Sequence, residues 1–245
     1  MTNTPDSNQK TNYGIDAPGV IRNLFFGGLI LLIIRFTFPV FRIGSTDIDI
    51  TWFIWPGAIF TVESILMMVY SLYGKYKHRS RMLALIDWKG DEQVLDIGTG
   101  KGLLMNGAAQ KLTTGKSTGI DIWNNEDLTG NNMEEALKNA AVEEVADKVE
   151  IKNENAMNMG FADNSFDVIL TNLCLHNIYN KEGRADACKE IGRVLKQGGT
   201  AVISDFRHVK EYQRNFEHLG LQTKLFWPNY LTTFPPLRIL VVKKP

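Results

Sequence analysis

Hydrophobic positions are spread unevenly along this chain. Residues 1–19 are polar and include Pro5, Gly14, Pro18 and Gly19, which predicts a loosely held tail. The pattern changes at Val20. Residues 24–34 (LFFGGLILLII) form an unbroken apolar run, and FTFPVF extends it after Arg35. A second run covers residues 51–73 (TWFIWPGAIFTVESILMMVYSLY). Each is long enough to cross a hydrocarbon core of about 30 Å. Trp52 and Trp55 at one end of the second run, and Tyr70 and Tyr73 at the other, suit interfacial belts. The short link RIGSTDIDI favours a helical hairpin. A basic stretch, GKYKHRSR at 74–81, follows directly, whereas the link offsets Arg42 with Asp47 and Asp49. The positive-inside rule therefore puts the chain after residue 74, and the N-terminus, in the cytoplasm. Arg35 and Glu63 are costly in lipid, and their expected depths let them face each other. Two alternatives stand beside this. Arg35 can snorkel with Glu63 neutral, or both segments can be amphipathic or buried helices covering the following domain.

From Arg79 onward the periodicity is that of an α/β domain. RMLALIDW predicts a short helix. Strands are then expected at 94–97, 116–123, 148–156, within 161–178, at 199–206 and at 237–244, with helices from 103, over 133–145, 181–196 and 211–219. Strands alternating with helices predict a mostly parallel sheet with helices packed on it. The most informative stretch is VLDIGTGKG at 94–102. An apolar strand ends in Asp96, Gly98, Gly100 and Gly102 make a tight turn, and a helix follows. Glycine turns of this kind let a ligand approach the main chain. The spacing is G-x-G-x-G, not the G-x-G-x-x-G of a dinucleotide site. A neighbouring carboxylate suits a cation better than a pyrophosphate, which argues against a nicotinamide cofactor.

This stretch resembles the first motif of the class I S-adenosylmethionine-dependent methyltransferases. SFDVI at 165–169 and the helix–KQGG–strand run around 196–199 resemble later parts of the same family. The resemblance runs from about residue 79 to 244 and implies a Rossmann-like seven-stranded, mostly parallel sheet with helices on both faces, here preceded by two transmembrane helices. The expected division is a polar tail at 1–19, a membrane hairpin at 20–74 and a catalytic domain at 75–245. The resemblance also implies a donor site. Asp96, Gly98 and Gly100 would hold the methionine moiety, and Asp121 the ribose. Ile122 or Trp123, with Ala156, would pack on adenine. Asn155 would contact the adenine edge, where the family more often has Asp, and Asn172 and Leu173 would line the cleft near the sulfonium.

Catalysis here is mostly alignment and desolvation, because the sulfonium is already electrophilic. If the acceptor must lose a proton, His176 is the candidate base, since histidine is the side chain suited to proton transfer near neutral pH. A structural histidine is the alternative. Asn177 and Tyr179 are weaker candidates for substrate contact. LTNLCLHN lacks an Asn-Pro-Pro-Tyr-like signature, which argues against amino-group methylation. Acceptor pockets are expected from the loops at 124–132, 173–179 and 226–236.

Composition narrows the partners. The 245 residues have a formal net charge of zero, which gives no nucleic-acid footprint. Cys174 and Cys188 form no disulfide framework, and no metal-ligand spacing is present, so no metal is expected. The reading is an integral membrane methyltransferase with a cytoplasmic catalytic domain, using S-adenosylmethionine and releasing S-adenosylhomocysteine. Its acceptor is a small molecule or a lipid. The alternative is a non-catalytic, membrane-anchored scaffold or sensor that binds the same donor.

Overall fold

A computed structural model describes residues 10–245. Its centre is a seven-stranded sheet built from β3 (Gln93–Ile97), β4 (Lys116–Asp121), β5 (Val149–Asn153), β6 (Phe166–Asn172), β7 (Leu195–Asp205), β8 (Gln222–Leu225) and β9 (Arg238–Lys243). The spatial order is β5-β4-β3-β6-β7-β9-β8. The first five of these pair in parallel, while β9 runs antiparallel to both β7 and β8. The period-2 alternation of the strands sorts side chains into two cores. Leu95, Ile169, Ile203 and Leu240 face α6 (Lys181–Val194) and α7 (Val209–His218). Val94, Val168, Leu170, Val202 and Ile239 face α3 (Lys75–Leu83) and α4 (Leu103–Ala109). Both faces are covered, which is why the strands read as nearly continuous apolar runs. The fold expected for the domain is therefore found.

The chain moves outward from β3 through β4 to β5, then returns to the other side of β3 at β6. The reversal opens a crevice at the C-terminal ends of β3 and β6, the place where open α/β sheets bind ligands. The glycine turn and residues 172–177 both sit there.

The N-terminal part pairs α1 (Pro18–Thr37) with α2 (Ile54–Val69) through a β-hairpin, β1 (Val40–Ile43) and β2 (Thr46–Asp49). The helices touch at their small residues. A Cβ on Gly28 would come within 2.8 Å of the Gly57 carbonyl, and one on Gly57 within 2.9 Å of Leu32. Both helical stretches, Pro18–Thr37 and Thr51–Leu83, are long and apolar enough to cross a membrane, and only 11% of each apolar window is buried. That low burial is not the pattern of core helices. Phe26, Ile30, Ile33, Val62, Ile65 and Val69 all project outward.

Three details differ from the sequence expectation. First, no break separates the second apolar segment from the helix at 79. The helix is continuous from Thr51 to Leu83, because the basic stretch is itself amphipathic. Lys75, His78 and Met82 are buried on one side while Lys77 and Arg81 are exposed on the other. Second, Arg35 does not meet Glu63. Its Nε donates to the Thr51 carbonyl at 3.1 Å. α1 begins at Pro18, earlier than the apolar run suggests, which carries Arg35 to the hairpin tip. Third, of the expected tail, residues 1–9 lie outside the described residues, while residues 10–17 are packed. Tyr13 is buried, and its hydroxyl accepts from Asn106 Nδ2 at 3.2 Å.

Candidate active site

The turn after β3 is held by its own acids. Gly98, Gly100 and Gly102 have φ of 70°, 53° and 87°, all left-handed and suited to glycine. Asp96 is buried, and its Oδ2 accepts from Thr99 Oγ1 at 2.8 Å and from the Met105 N–H at 2.9 Å. It thus ties the strand to the start of α4. Burial pushes its carboxyl up to about 7, against the lowering effect of these two bonds. Asp121, at the end of β4, accepts from the Gly100 N–H at 2.8 Å and from the Trp123 N–H at 2.7 Å. Asn131 Nδ2 approaches the same carboxylate at 3.4 Å.

The other expected donor residues gather around this turn. Asn153 pairs in register with Asp121, which brings Asn155 alongside. Asn155 is exposed, and its Oδ1 accepts from the Met157 N–H at 2.9 Å. Ala156 packs against the core beneath it. Ile122 is exposed, while Trp123 is half-buried with φ 62°. Leu173, with φ 53°, donates its N–H to the Ser204 carbonyl at 3.0 Å. Left-handed angles at two non-glycine residues are uncommon and cluster at functional sites. Across the crevice, Cys174 packs on Gly98 so closely that a Cβ on the glycine would overlap its sulfur. Burial raises the Cys174 thiol well above the ordinary range, so it stays protonated.

His176 lies in the short turn Leu175–Asn177, just beyond β6. Its Nδ1 is 2.9 Å from Asp205 Oδ1, although the direction is poor for a hydrogen bond. Its ring packs edge-on against Phe206 at 4.7 Å. Asp205 is 1% exposed and accepts from the His176 N–H at 3.1 Å and the Phe206 N–H at 2.8 Å. A buried carboxylate behind one imidazole nitrogen leaves Nε2 as the nitrogen that can exchange a proton with a substrate. Asn177 is half-buried beside it, and Tyr179 is exposed. Arg184 anchors this segment by donating to the Ile178 and Tyr179 carbonyls, both at 2.9 Å, while pairing with Glu211 at 2.8 Å.

Several site residues lay outside the sequence expectation. Asp205 ends its strand as Asp121 does, so the C-terminal ends of neighbouring strands were a usable signal. Tyr70 was expected in an interfacial belt but is 4% exposed, packed against the domain. Lys75 Nζ donates to the Tyr13 and Gly14 carbonyls at 2.8 and 2.6 Å and pairs with Asp16 at 3.4 Å. The segment it holds pairs in turn with the loop over the glycine turn. The Ala17 N–H donates to Asp127 O, Thr129 donates to Ile15 O, and Leu128 lies against Gly100. Nothing in the sequence marked these long-range contacts.

Residues 95–203 match the family model described as a methyltransferase domain. The chain is 30% identical over 132 residues to a ubiquinone/menaquinone biosynthesis C-methyltransferase from a Ruegeria species, covering 53% of this chain and 49% of that protein. It is 31% identical over 131 residues to a demethylmenaquinone methyltransferase from Lactiplantibacillus plantarum, covering 53% and 52%. The chain thus spans about half the length of the curated relatives it matches. Among solved structures, the YcgJ protein from Bacillus subtilis superposes with a TM-score of 0.54 at 17% identity, over 69% of this chain and 99% of that one, a likeness of fold alone. The match is thus to a methyltransferase domain within residues 95–203, on a fold shared with the solved structures.

Proposed function

We propose that the chain transfers a methyl group from S-adenosylmethionine to a lipophilic, quinone-like acceptor at the cytoplasmic face of a membrane. The glycine turn carries the donor half of this reading. Gly98 has no room for a Cβ because Cys174 fills the space, so this point of the turn accepts only glycine. A carboxylate offers roughly four acceptor sites. On Asp121, Gly100 and Trp123 take two at short range and Asn131 a third at 3.4 Å, which leaves one open to a ribose hydroxyl. The partly exposed Asp121 carboxylate makes the turn a favourable place for a cationic ligand, while Asp96 shapes the turn from within. The residues present therefore suit the donor. When bound, S-adenosylmethionine supplies an electrophilic methyl group on sulfur.

The acceptor half rests on the relatives, whose printed activities lie in ubiquinone and menaquinone synthesis, and on the apolar hairpin. For a quinol acceptor, His176 would take the hydroxyl proton, which raises electron density at the neighbouring ring carbon. Asp205 would stabilise the imidazolium that results.

The test uses the full chain in phospholipid vesicles. Calorimetry with S-adenosylhomocysteine reads the donor site, and labelled donor with a prenylated naphthoquinol reads transfer. Micromolar donor-product binding and label on the quinol ring are expected. Binding without transfer to any quinol would remove the acceptor class, and no binding by folded protein would remove the donor reading as well.

A further inference from the structure

The second hairpin helix does more than end near the crevice. Where it reaches the domain it leaves α-helical geometry, and Tyr70–Gly74 form a π-turn. Such turns occur frequently at functional sites. The Asn172 side chain reaches the Tyr70 hydroxyl. Yet that hydroxyl and Asn172 Oδ1 are both buried without a well-formed hydrogen bond among the described residues. A buried phenol and a buried amide oxygen left this way can each turn to a polar group brought beside them.

Tyr70 also faces the other way. With Leu66, Val69 and Tyr73 from the helix, and Leu231 and Phe234 from the loop before β9, it lines a cavity of about 210 Å³. The loop is seated on the helix at Gly74, where a Cβ would meet the Thr232 carbonyl at 2.5 Å. On its open side Tyr73, Tyr230 and Leu231 are strongly exposed, and Lys77 is the one charged residue of the lining. Exposed aromatic and apolar residues beside an apolar helix fit the headgroup level of a bilayer. The cavity is smaller than the roughly 300–1,000 Å³ of a pocket that encloses a whole drug-sized ligand. It suits a section of a chain whose remainder stays in lipid.

We propose that this groove takes the apolar tail of the membrane-borne acceptor and delivers its polar head to Tyr70 and Asn172, so that the hairpin supplies half of the acceptor site. This rests on the lipophilic-acceptor reading above and assigns its entry route. Tyr70 donates its hydroxyl proton to an oxygen of the head group, and the groove sets how deep the head sits.

The test is photolabelling of the full chain in phosphatidylglycerol vesicles, using a prenylated naphthoquinone with a diazirine on its tail. Labelled peptides should come from residues 66–73 and 230–234. Val69→Trp and, separately, Leu231→Trp should each cut that label by about tenfold or more, the effect of losing about 1.4 kcal/mol of binding. Affinity for S-adenosylhomocysteine reports that each variant is folded. Label spread evenly over the outward faces of both helices overturns the groove. So does label that neither variant reduces, or that a diazirine phospholipid gives equally well at these peptides. Failure of the acceptor reading is seen separately: label concentrated in the groove with no methyl transfer to the tail-bearing quinol leaves the groove intact and removes the quinol.

Discussion

Asp96 sits where a carboxylate is hardest to ionise, fully enclosed and close to the negative charge of Asp121. Its folded value of about 7 lies above the ordinary 3.8, so between these values the folded chain holds a proton that the unfolded chain has lost. The stabilisation from this group is complete below the unfolded value and is lost as pH rises through about 7, at up to about 1.4 kcal/mol per pH unit. Asp96→Asn stays neutral throughout. Its urea midpoint should therefore fall less between about pH 5 and about pH 8 than the parent's does. Equal falls would mean that Asp96 is ionised across the range. His176 supports a kinetic prediction. His176→Ala should lower kcat by about 10²- to 10⁴-fold while donor-product affinity holds. Asp205→Asn should lower kcat in the same direction, because the imidazolium loses its counter-charge. A His176→Ala enzyme with normal turnover would make the histidine structural. At this scale the sequence was legible in position: Asp96, Asp121 and Asn172 stand at or near strand ends, and His176 just beyond β6. It was not legible that Asp96 and Asp121 hold the glycine turn itself, because both bonds depend on how the loop closes.

Among the elements, strands and helices of the catalytic domain were readable because each carries its own period, and alternation within β3, β6, β7 and β9 feeds two cores at once. The helix from Thr51 to Leu83 shows the limit of that reading. A change from apolar to basic residues looks like a boundary, yet a buried stripe of Lys75, His78 and Met82 continues the helix into the domain. His78 contacts Ser204 Oγ at 2.6 Å, and burial lowers its pKa to about 4, so it is a neutral part of the packing. Lys75 ties three elements: its own helix, the strand-like residues 12–17, and through them the loop at 127–129 over the glycine turn. Burial pulls its ammonium below the usual lysine range while Asp16 acts against this. Lys75→Met keeps the length and loses the donors. It should cost about 1–3 kcal/mol, the penalty for leaving buried acceptors unpaired. Amide exchange at 12–17 and 127–129 should quicken together, and donor affinity should fall. Lys77→Met, on the exposed side of the same helix, is the control. Unaltered exchange at the loop in Lys75→Met would mean that the strap and loop are ordered independently.

Across the whole molecule, two lengths bear on how the domain would meet a membrane. At 1.5 Å per residue, the 20 residues of α1 span about 30 Å, the thickness of the hydrocarbon. The 33-residue helix from Thr51 spans about 50 Å, roughly 20 Å more. That excess is the part whose inner side is buried against the sheet, so one continuous helix would join a membrane hairpin to the domain. The opposite end carries the β1–β2 turn, with Val40, Phe41 and Ile43 exposed and Arg42 paired to Asp47 at 2.6 Å. If the hairpin crosses the bilayer, Gly44 at that turn and Lys77 on the long helix lie on opposite sides. The labelling test uses a Cys174→Ala background, because Cys188 is buried while Cys174 is only half-buried. Gly44→Cys should react with a membrane-impermeant maleimide in intact cells, and Lys77→Cys only after the membrane is opened. Both proteins should stay in the membrane through an alkaline carbonate wash. Protection of Gly44→Cys in intact cells together with release by carbonate would put the hairpin flat on the cytoplasmic surface. The catalytic domain would then keep its fold and its crevice. The groove beside Tyr70 would meet lipid from the side of a surface-lying helix, and the excess length of the helix would lose its explanation as the distance between bilayer and active site.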